Sequence, residues 1–271
     1  MIDISDVTFI IPVRIESSDR CRNLTLSVGY LLEHTNAEII IMESDEEWYV
    51  PKIIEKLLES RPDAIRRVKY LFVPTKEKPF HRTRMLNIML LESKTPIVVN
   101  YDCDVLLPLS SYESAAKMCR EDYDLVYPFF FGDNAQARVL LNSLDVTEFA
   151  KSSNLKTLKS FPWRAEYGFC QFFKRQSYIN GYMENENFIS YGPEDSERAN
   201  RWEKLGFKIG RVDDLVYHME HSRGQNSDTS NPFMKLNEDL FNQLRSMTAD
   251  DLKSYYENQV YYQNYLRRNI K

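Results

Sequence analysis

Two carboxylates, Asp102 and Asp104, stand one residue apart in Tyr101-Asp102-Cys103-Asp104-Val105, just after the apolar run Pro96-Ile97-Val98-Val99. The run reads as a short buried strand, so the acids fall where that strand ends. In open α/β sheets ligands bind beyond the carboxyl ends of the strands. A carboxylate packs poorly because burial without a partner is costly, whereas a pair suits a hard divalent cation that in turn holds a phosphate. Far downstream, His218 and His221 lie three residues apart in Tyr217-His218-Met219-Glu220-His221. That spacing puts both rings on one side of a turn. Asp104 with two imidazoles gives a mixed oxygen–nitrogen set, suited to Mn2+ (or Mg2+) with positions left for diphosphate oxygens. The competing account is a polar loop whose histidines cap backbone groups. Glu194 and Asp195 follow Gly192-Pro193 and open a helix. As plain helix-terminal acids they complement the helix dipole; in a shaped site one of them serves as general base.

The elements that must hold these groups alternate. Residues 7–11 form a β-branched strand that Pro12 stops, with Arg14 beyond it. Ser17-Ser18-Asp19 can cap an amphipathic helix over 20–34. Strands follow at 38–42, ending in Glu43-Ser44-Asp45, and at 68–73, with helices at 51–60 and 82–92. The strand before Asp102 is the fourth. This rhythm predicts an α/β fold with a mostly parallel central sheet flanked by helices. One edge then collects Arg14, Glu43 and the Asp102/Asp104 pair, which is what a nucleotide site needs. Beyond Asp104 come a helix at 109–120 and a strand at 124–127. Residues 132–159 are polar and helix-prone without a strand signal, and are expected to form a helical insertion or lid. Strand-like aromatic content returns at 167–173, a helix runs over 194–205, and one or two strands over 207–216 lead to the histidine pair. From 237 onward the chain is helical and tyrosine-rich.

Composition sets outer bounds. The 271 residues are 43% hydrophobic and 13% aromatic, enough for a substantial core. A net charge of −5 argues against a nucleic-acid partner. No apolar run approaches the roughly 20 residues of a membrane span, and the acidic start Met1-Ile2-Asp3-Ile4-Ser5-Asp6 is unlike a secretory signal. Cys21, Cys103, Cys119 and Cys170 show no C-x-x-C spacing and read as free thiols of a reducing compartment, so the expected location is the cytoplasm. The tyrosine-rich tail ending in Arg267-Arg268 packs on the main body or, more weakly, touches a membrane surface.

Four blocks, with a histidine block behind them, resemble in their order the inverting, metal-dependent glycosyltransferases of the GT-A fold, in particular the β-1,4-galactosyltransferases and bacterial chondroitin-polymerase-type enzymes. Phe9-Ile10-Ile11-Pro12-Val13-Arg14 is similar to the opening strand and turn that touch the nucleotide. Phe80-His81-Arg82-Thr83-Arg84-Met85-Leu86-Asn87 is similar to a block at the base and diphosphate. Asp102-Cys103-Asp104 is the D-x-D. Tyr191-Gly192-Pro193-Glu194-Asp195, preceded by Ile179-Asn180-Gly181-Tyr182, resembles the block whose last aspartate is the catalytic base, and His221-Ser222-Arg223 the block whose histidine binds metal. The resemblance spans residues 7–223. It implies a single Rossmann-like nucleotide-diphospho-sugar transferase domain over 1–271, with a nucleotide half (1–108), an acceptor and metal half (109–223, insertion about 132–159) and a C-terminal helical extension (224–271). It implies transfer of a galactose-type hexose or N-acetylhexosamine from a UDP-sugar to a glycan or lipid-linked glycan. Asp195 would be the base with Glu194 beside it, Asp104, His218 and His221 the metal ligands, and Pro12, Arg14, Glu43, His81, Arg82, Asn87, Asp102 and Gly168 the nucleotide-sugar contacts. Pro193 replaces a family glycine and Tyr191 a tryptophan that stacks on acceptor sugar, so acceptor identity does not carry over. A nucleotidyltransferase is the alternative enzyme, but Pro12-Val13-Arg14-Ile15-Glu16 lacks the usual glycine-rich loop; a non-catalytic nucleotide-sugar-binding protein would need the metal set without Asp195.

Overall fold

A computed structural model describes residues 1–140 and 154–269. Seven strands form the main sheet, in spatial order β10 (Ile209–Arg211), β6 (Leu125–Tyr127), β9 (Cys170–Lys174), β4 (Ile97–Tyr101), β1 (Val7–Val13), β2 (Glu38–Asp45) and β3 (Val68–Pro74). All neighbours are parallel except β9, which runs antiparallel to both β4 and β6. Every residue of β1 is buried, as expected of a parallel strand covered on both faces. Phe9 at its centre meets Tyr101, Tyr112 and Phe172 edge-on, with ring centroids 5.3, 5.8 and 6.0 Å away. Such contacts add to what area burial alone contributes.

The crossover helices are α1 (Ser18–His34), α2 (Val50–Glu59) and α3 (Arg82–Glu92), followed by α4 (Leu109–Glu121), the short α5 (Arg175–Asn180) and α6 (Glu194–Lys204). The Ser17 hydroxyl caps α1 by accepting from the Arg20 N–H. The chain ends in α7 (Met234–Ser246), α8 (Ala249–Glu257) and α9 (Val260–Asn269). No described helix is long and apolar enough to cross a membrane.

A second sheet, ordered β5 (Val105–Leu106), β11 (Val216–Met219), β7 (Gly132–Val139) and β8 (Ser160–Ala165), stands beside the first. It corrects two expectations. The start of the 132–159 stretch is not helical: Gly132–Val139 is β7, paired with β8 and β11. Asn134 sits at φ +63° and the β7–β8 register slips between Gly132 and Gln136. That bulge leaves an alternation too short to read as a strand period. Residues 141–153 of the expected insertion lie outside the described residues. His218, expected at a turn, is instead the third residue of β11.

Candidate active site

The β5–β11 pairing brings the distant groups together. Val105 lies opposite His218 in antiparallel register, and the Met219 N–H donates to the Asp104 carbonyl at 2.8 Å. A carboxylate one residue ahead of β5 therefore lands beside one imidazole inside β11 and another just after it. His218 Nε2 is 3.7 Å from Asp104 Oδ1, and His221 Nε2 is 3.2 Å from Asp104 Oδ2. One ligand atom from each residue can be chosen so that all three lie within 4.8 Å of one another.

The tautomer of His221 decides what this set can hold. Its Nδ1 is 2.8 Å from the Ser222 carbonyl oxygen. A carbonyl only accepts, so Nδ1 carries the proton. In a neutral ring Nε2 then presents its lone pair to the Asp104 carboxylate. Two lone pairs at that distance repel unless the ring gains a proton or a cation lies between them. Backbone anchoring of the far ring nitrogen is the usual support of a metal-binding histidine. Arg20 Nη1 also reaches Asp104 Oδ2, at 2.6 Å. Burial alone would raise the Asp104 carboxyl, but His218, His221 and Arg20 hold it well below the usual carboxylate range. The donor set fits a divalent ion.

Asp102 is spent differently. Its Oδ1 accepts from Arg82 Nη2 at 2.8 Å, and its Oδ2 from the Phe169 N–H at 3.2 Å. Its own N–H donates to the Phe169 carbonyl at 2.9 Å. These bonds hold Phe169 at φ +69°, a conformation costing a bulky residue on the order of 1–3 kcal/mol. Burial pushes the Asp102 carboxyl up; Arg82 opposes this, and the charges of Asp104 and Asp195 add to it.

Arg82 continues the chain of charge to α6. Its Nη1 lies 3.7 Å from Glu194 Oε1 and 3.6 Å from Asp195 Oδ1. Burial, with the neighbouring Asp195 charge, pushes the Glu194 carboxyl up to about 8. Glu194 is therefore largely protonated at neutral pH. Asp195 faces the cleft. A Cβ at Gly168 would stand 3.2 Å from Asp195 Oδ2, so only glycine leaves that oxygen its full clearance.

Behind Asp195 sits a buried ion-pair network. Arg198 Nη2 donates to Asp195 Oδ1. Arg198 Nη1 donates to both Glu184 oxygens, at 2.6 and 2.7 Å. Glu184 also accepts from the Tyr178 hydroxyl and from Asn100 Nδ2 at 3.3 Å. Since Asn100 belongs to β4, the network ties the strand that leads to Asp102 to the helix that carries Asp195. Arg198 and Glu184 are 0% and 1% exposed. Arg198→Met is expected to destabilise the fold by about 3–5 kcal/mol, because it strands the Glu184 charge. Adding Glu184→Met should recover most of that loss. Urea unfolding of the two variants tests this, and equal stability of both would rule out a stranded charge as the cause.

No family model and no curated protein sequence matches the chain. Solved structures do. A mannosyltransferase from Pyrobaculum calidifontis, in complex with GDP-Man and Mn2+, aligns with a TM-score of 0.58 at 15% identity over 97% of this chain and 74% of its own. GalNAc-T7 with UDP, GalNAc and Mn2+ aligns with a TM-score of 0.59 at 15% identity over 94% of this chain. The chain spans only about half of that structure, 52%. The fold is that of the GT-A glycosyltransferases.

On this GT-A frame, Pro12, Arg14, Arg82, Asp102, Asp104, Gly168, Glu194, Asp195, His218 and His221 line one cleft of about 420 Å³. Three residues expected there do not. Glu43 lies at the right strand end, but its carboxylate turns inward. It accepts from the Tyr49 and Val50 N–H groups at 2.9 and 3.2 Å, where α2 starts, and from the Tyr70 hydroxyl at 2.6 Å. A helix N-terminus is a strong competitor for an anion. Asn87 clasps the Glu184 backbone, accepting its N–H at 2.8 Å and donating to its carbonyl at 3.0 Å. His81 pairs with Glu77 at 3.3 Å, outside the cleft. Sequence reasoning missed Arg20 and Arg198. Arg198 was findable, since it follows Asp195 by three residues on one helix face. Arg20 carries no such signal: only the fold brings α1 against Asp104.

Proposed function

We propose that the chain transfers a sugar from a nucleotide diphosphate sugar to a hydroxyl of a glycan or lipid-linked glycan, with inversion at the anomeric carbon. The observation that carries this reading is the shared cleft: a metal-competent Asp104–His218–His221 set and a cleft-facing carboxylate, Asp195, open onto the same space. The two fold neighbours hold Mn2+, one with GDP-Man and the other with UDP and GalNAc. A UDP-sugar of galactose type is the favoured donor, because the sequence blocks resemble the β-1,4-galactosyltransferases. The reading treats residues 1–271 as one catalytic unit, with 1–108 holding nucleotide, 109–223 supplying metal ligands and acceptor contacts, and 224–271 a helical extension.

In this scheme Asp104, His218 and His221 would hold the ion, which when bound supplies positive charge to the departing diphosphate. Two imidazoles favour Mn2+ over Mg2+, which takes oxygen ligands. Asp195 Oδ2 takes the proton of the acceptor hydroxyl as that oxygen bonds to the anomeric carbon. The bond from that carbon to the diphosphate oxygen breaks, and the nucleotide leaves with the electron pair. Arg198 fixes Asp195 through its other oxygen. Arg14, whose Cζ lies 5.5 Å from the Phe80 ring centre, marks the nucleotide end of the cleft with Pro12. Arg82 and Arg20 add positive charge between the two ends.

Titrating the protein with UDP and with GDP, each with Mn2+, Mg2+ or chelator, tests the donor site; a panel of the matching nucleotide sugars then tests turnover. Mn2+-dependent UDP binding and nucleotide release are expected. Absence of metal-dependent binding of either nucleotide would overturn the reading, and binding without any turnover would reduce it to a non-catalytic nucleotide-sugar receptor.

A further inference from the structure

The two imidazoles of the metal set are not held alike. His221 is anchored through Nδ1 to the Ser222 carbonyl. His218 has no such anchor: its Nδ1 is buried and has no hydrogen-bond partner among the described residues. Nε2, 3.7 Å from Asp104 Oδ1, is therefore the nitrogen left to meet an ion. A ligating imidazole ordinarily takes its orientation from a hydrogen bond at the far nitrogen. Pairing with β5 and β7 fixes the His218 backbone, but it does not fix the rotation of the ring. That has to come from packing.

Phe169 stands where the packing is needed. Its ring centre lies 5.6 Å from that of His218, with the two planes 63° apart. The His221 ring is also 5.6 Å from His218, nearly perpendicular at 88°. Phe169 in turn meets the fully buried Phe129 edge-on, at 5.7 Å.

The backbone beneath the Phe169 ring is out of the ordinary. The β4–β9 register ends with Tyr101 opposite Cys170, which leaves Asp102 beside Phe169, bonded to both its N–H and its carbonyl. The Cys170 N–H donates to the Gly168 carbonyl at 2.9 Å, closing a three-residue turn around Phe169 at φ +69°. Three-residue turns with positive φ are rare and strained, and glycine takes such a φ without steric cost. If the turn alone mattered, phenylalanine would be a poor residue for it. What phenylalanine adds is the ring, and strain that the surroundings hold in place points to function.

We propose that Phe169 is a positioning residue for the metal ligand His218. Its ring confines the imidazole with Nε2 toward the ion, in place of the hydrogen bond that His218 lacks, and Asp102 holds Phe169 in that pose. The first aspartate of the D-x-D thus has an indirect part in metal binding. This role rests on the metal-dependent reading of the cleft.

Titration of the whole protein with Mn2+, without nucleotide and followed by electron paramagnetic resonance of the free ion, tests it. Phe169→Gly relieves the turn and removes the ring, Phe169→Leu keeps apolar bulk without the ring, and Phe169→Tyr keeps the ring. The Gly and Leu variants should bind Mn2+ about 10–100-fold more weakly, the loss typical of removing a ligand's supporting partner, while Phe169→Tyr stays within about threefold. Urea unfolding in chelator reads stability separately; if Phe169→Leu fails to fold, Phe169→Gly, which is free of the strain, decides. In a His218→Ala background Phe169→Gly should cost Mn2+ nothing further, because the contact it removes is already gone. Unchanged Mn2+ affinity in Phe169→Gly, an equal loss in Phe169→Tyr, or the same loss in the His218→Ala background overturns the proposal. An unmodified chain that binds no Mn2+ would overturn it together with the metal-dependent reading, whereas Mn2+ binding indifferent to Phe169 would overturn it alone.

Discussion

Asp195→Asn is expected to lower sugar transfer by about 10²–10⁴-fold, the range that a positioned general base contributes, while UDP and Mn2+ bind as before. The amide keeps the shape of the side chain and can still accept from Arg198, so the cleft is preserved and only proton acceptance is lost. Glu194→Gln is the matched control. Because the Glu194 carboxyl is pushed up to about 8, it is mostly neutral at pH 7, and glutamine is close to its equal in both size and charge. Its effect should be small at pH 7 and should emerge only as the pH rises through about 8, where the native carboxyl ionises and the amide does not. Rates of nucleotide release at pH 7 and 9 for the two variants separate the roles. If Asp195→Asn keeps turnover within about threefold, well short of a general base's contribution, the base lies elsewhere; if Glu194→Gln is the crippled variant at pH 7, the two acids have been assigned the wrong way round.

The sequence disclosed those parts of the site that depend on periodicity and strand ends. The buried runs at Val7–Val13 and Ile97–Tyr101, each followed by a polar turn, placed Arg14 and the D-x-D at one sheet edge. The helix start at Glu194 was legible from Pro193 and the acids behind it. What could not be read was the direction a side chain takes once it reaches that edge. Glu43 shares the edge with Asp104, yet it closes the start of α2, because two backbone N–H groups and a tyrosine hydroxyl stand nearer than the cleft does. Asn87 likewise serves the backbone of Glu184. The β7 strand was hidden by its bulge at Asn134. Arg20 and Arg211 owe their surroundings to segments far away in the chain, Asp104 in one case and an aromatic cluster from the end of β6 and the loops after β6 and β8 in the other. No local pattern encodes such contacts.

The metal set separates from a mere ion-pair cluster by the sign of two responses. If Asp104, His218 and His221 bind Mn2+, the ion stabilises the folded chain by RT ln(1 + [L]/Kd), about 2.7 kcal/mol at a hundred times Kd, which shifts a thermal transition by several degrees. His221→Ala removes one ligand and should weaken Mn2+ binding by at least about 100-fold, above the 10–100-fold typical of losing only a supporting partner of a ligand, so the stabilisation at that Mn2+ concentration should fall to about 0.4 kcal/mol or less. Arg20→Gln should act in the opposite direction. Arg20 Nη1 occupies Asp104 Oδ2 at 2.6 Å, so it competes with the ion for that oxygen, and removing its charge should leave Mn2+ bound as tightly or more tightly. A cluster held together only by Arg20, Asp104 and protonated imidazoles predicts the reverse: Arg20→Gln would be the damaging change, and Mn2+ would shift neither protein. Differential scanning fluorimetry of the unmodified chain and both variants, with Mn2+ and with chelator, reads the two signs directly. An unmodified chain indifferent to Mn2+ would remove the ion from the scheme and leave Asp104 as Arg20's counter-ion.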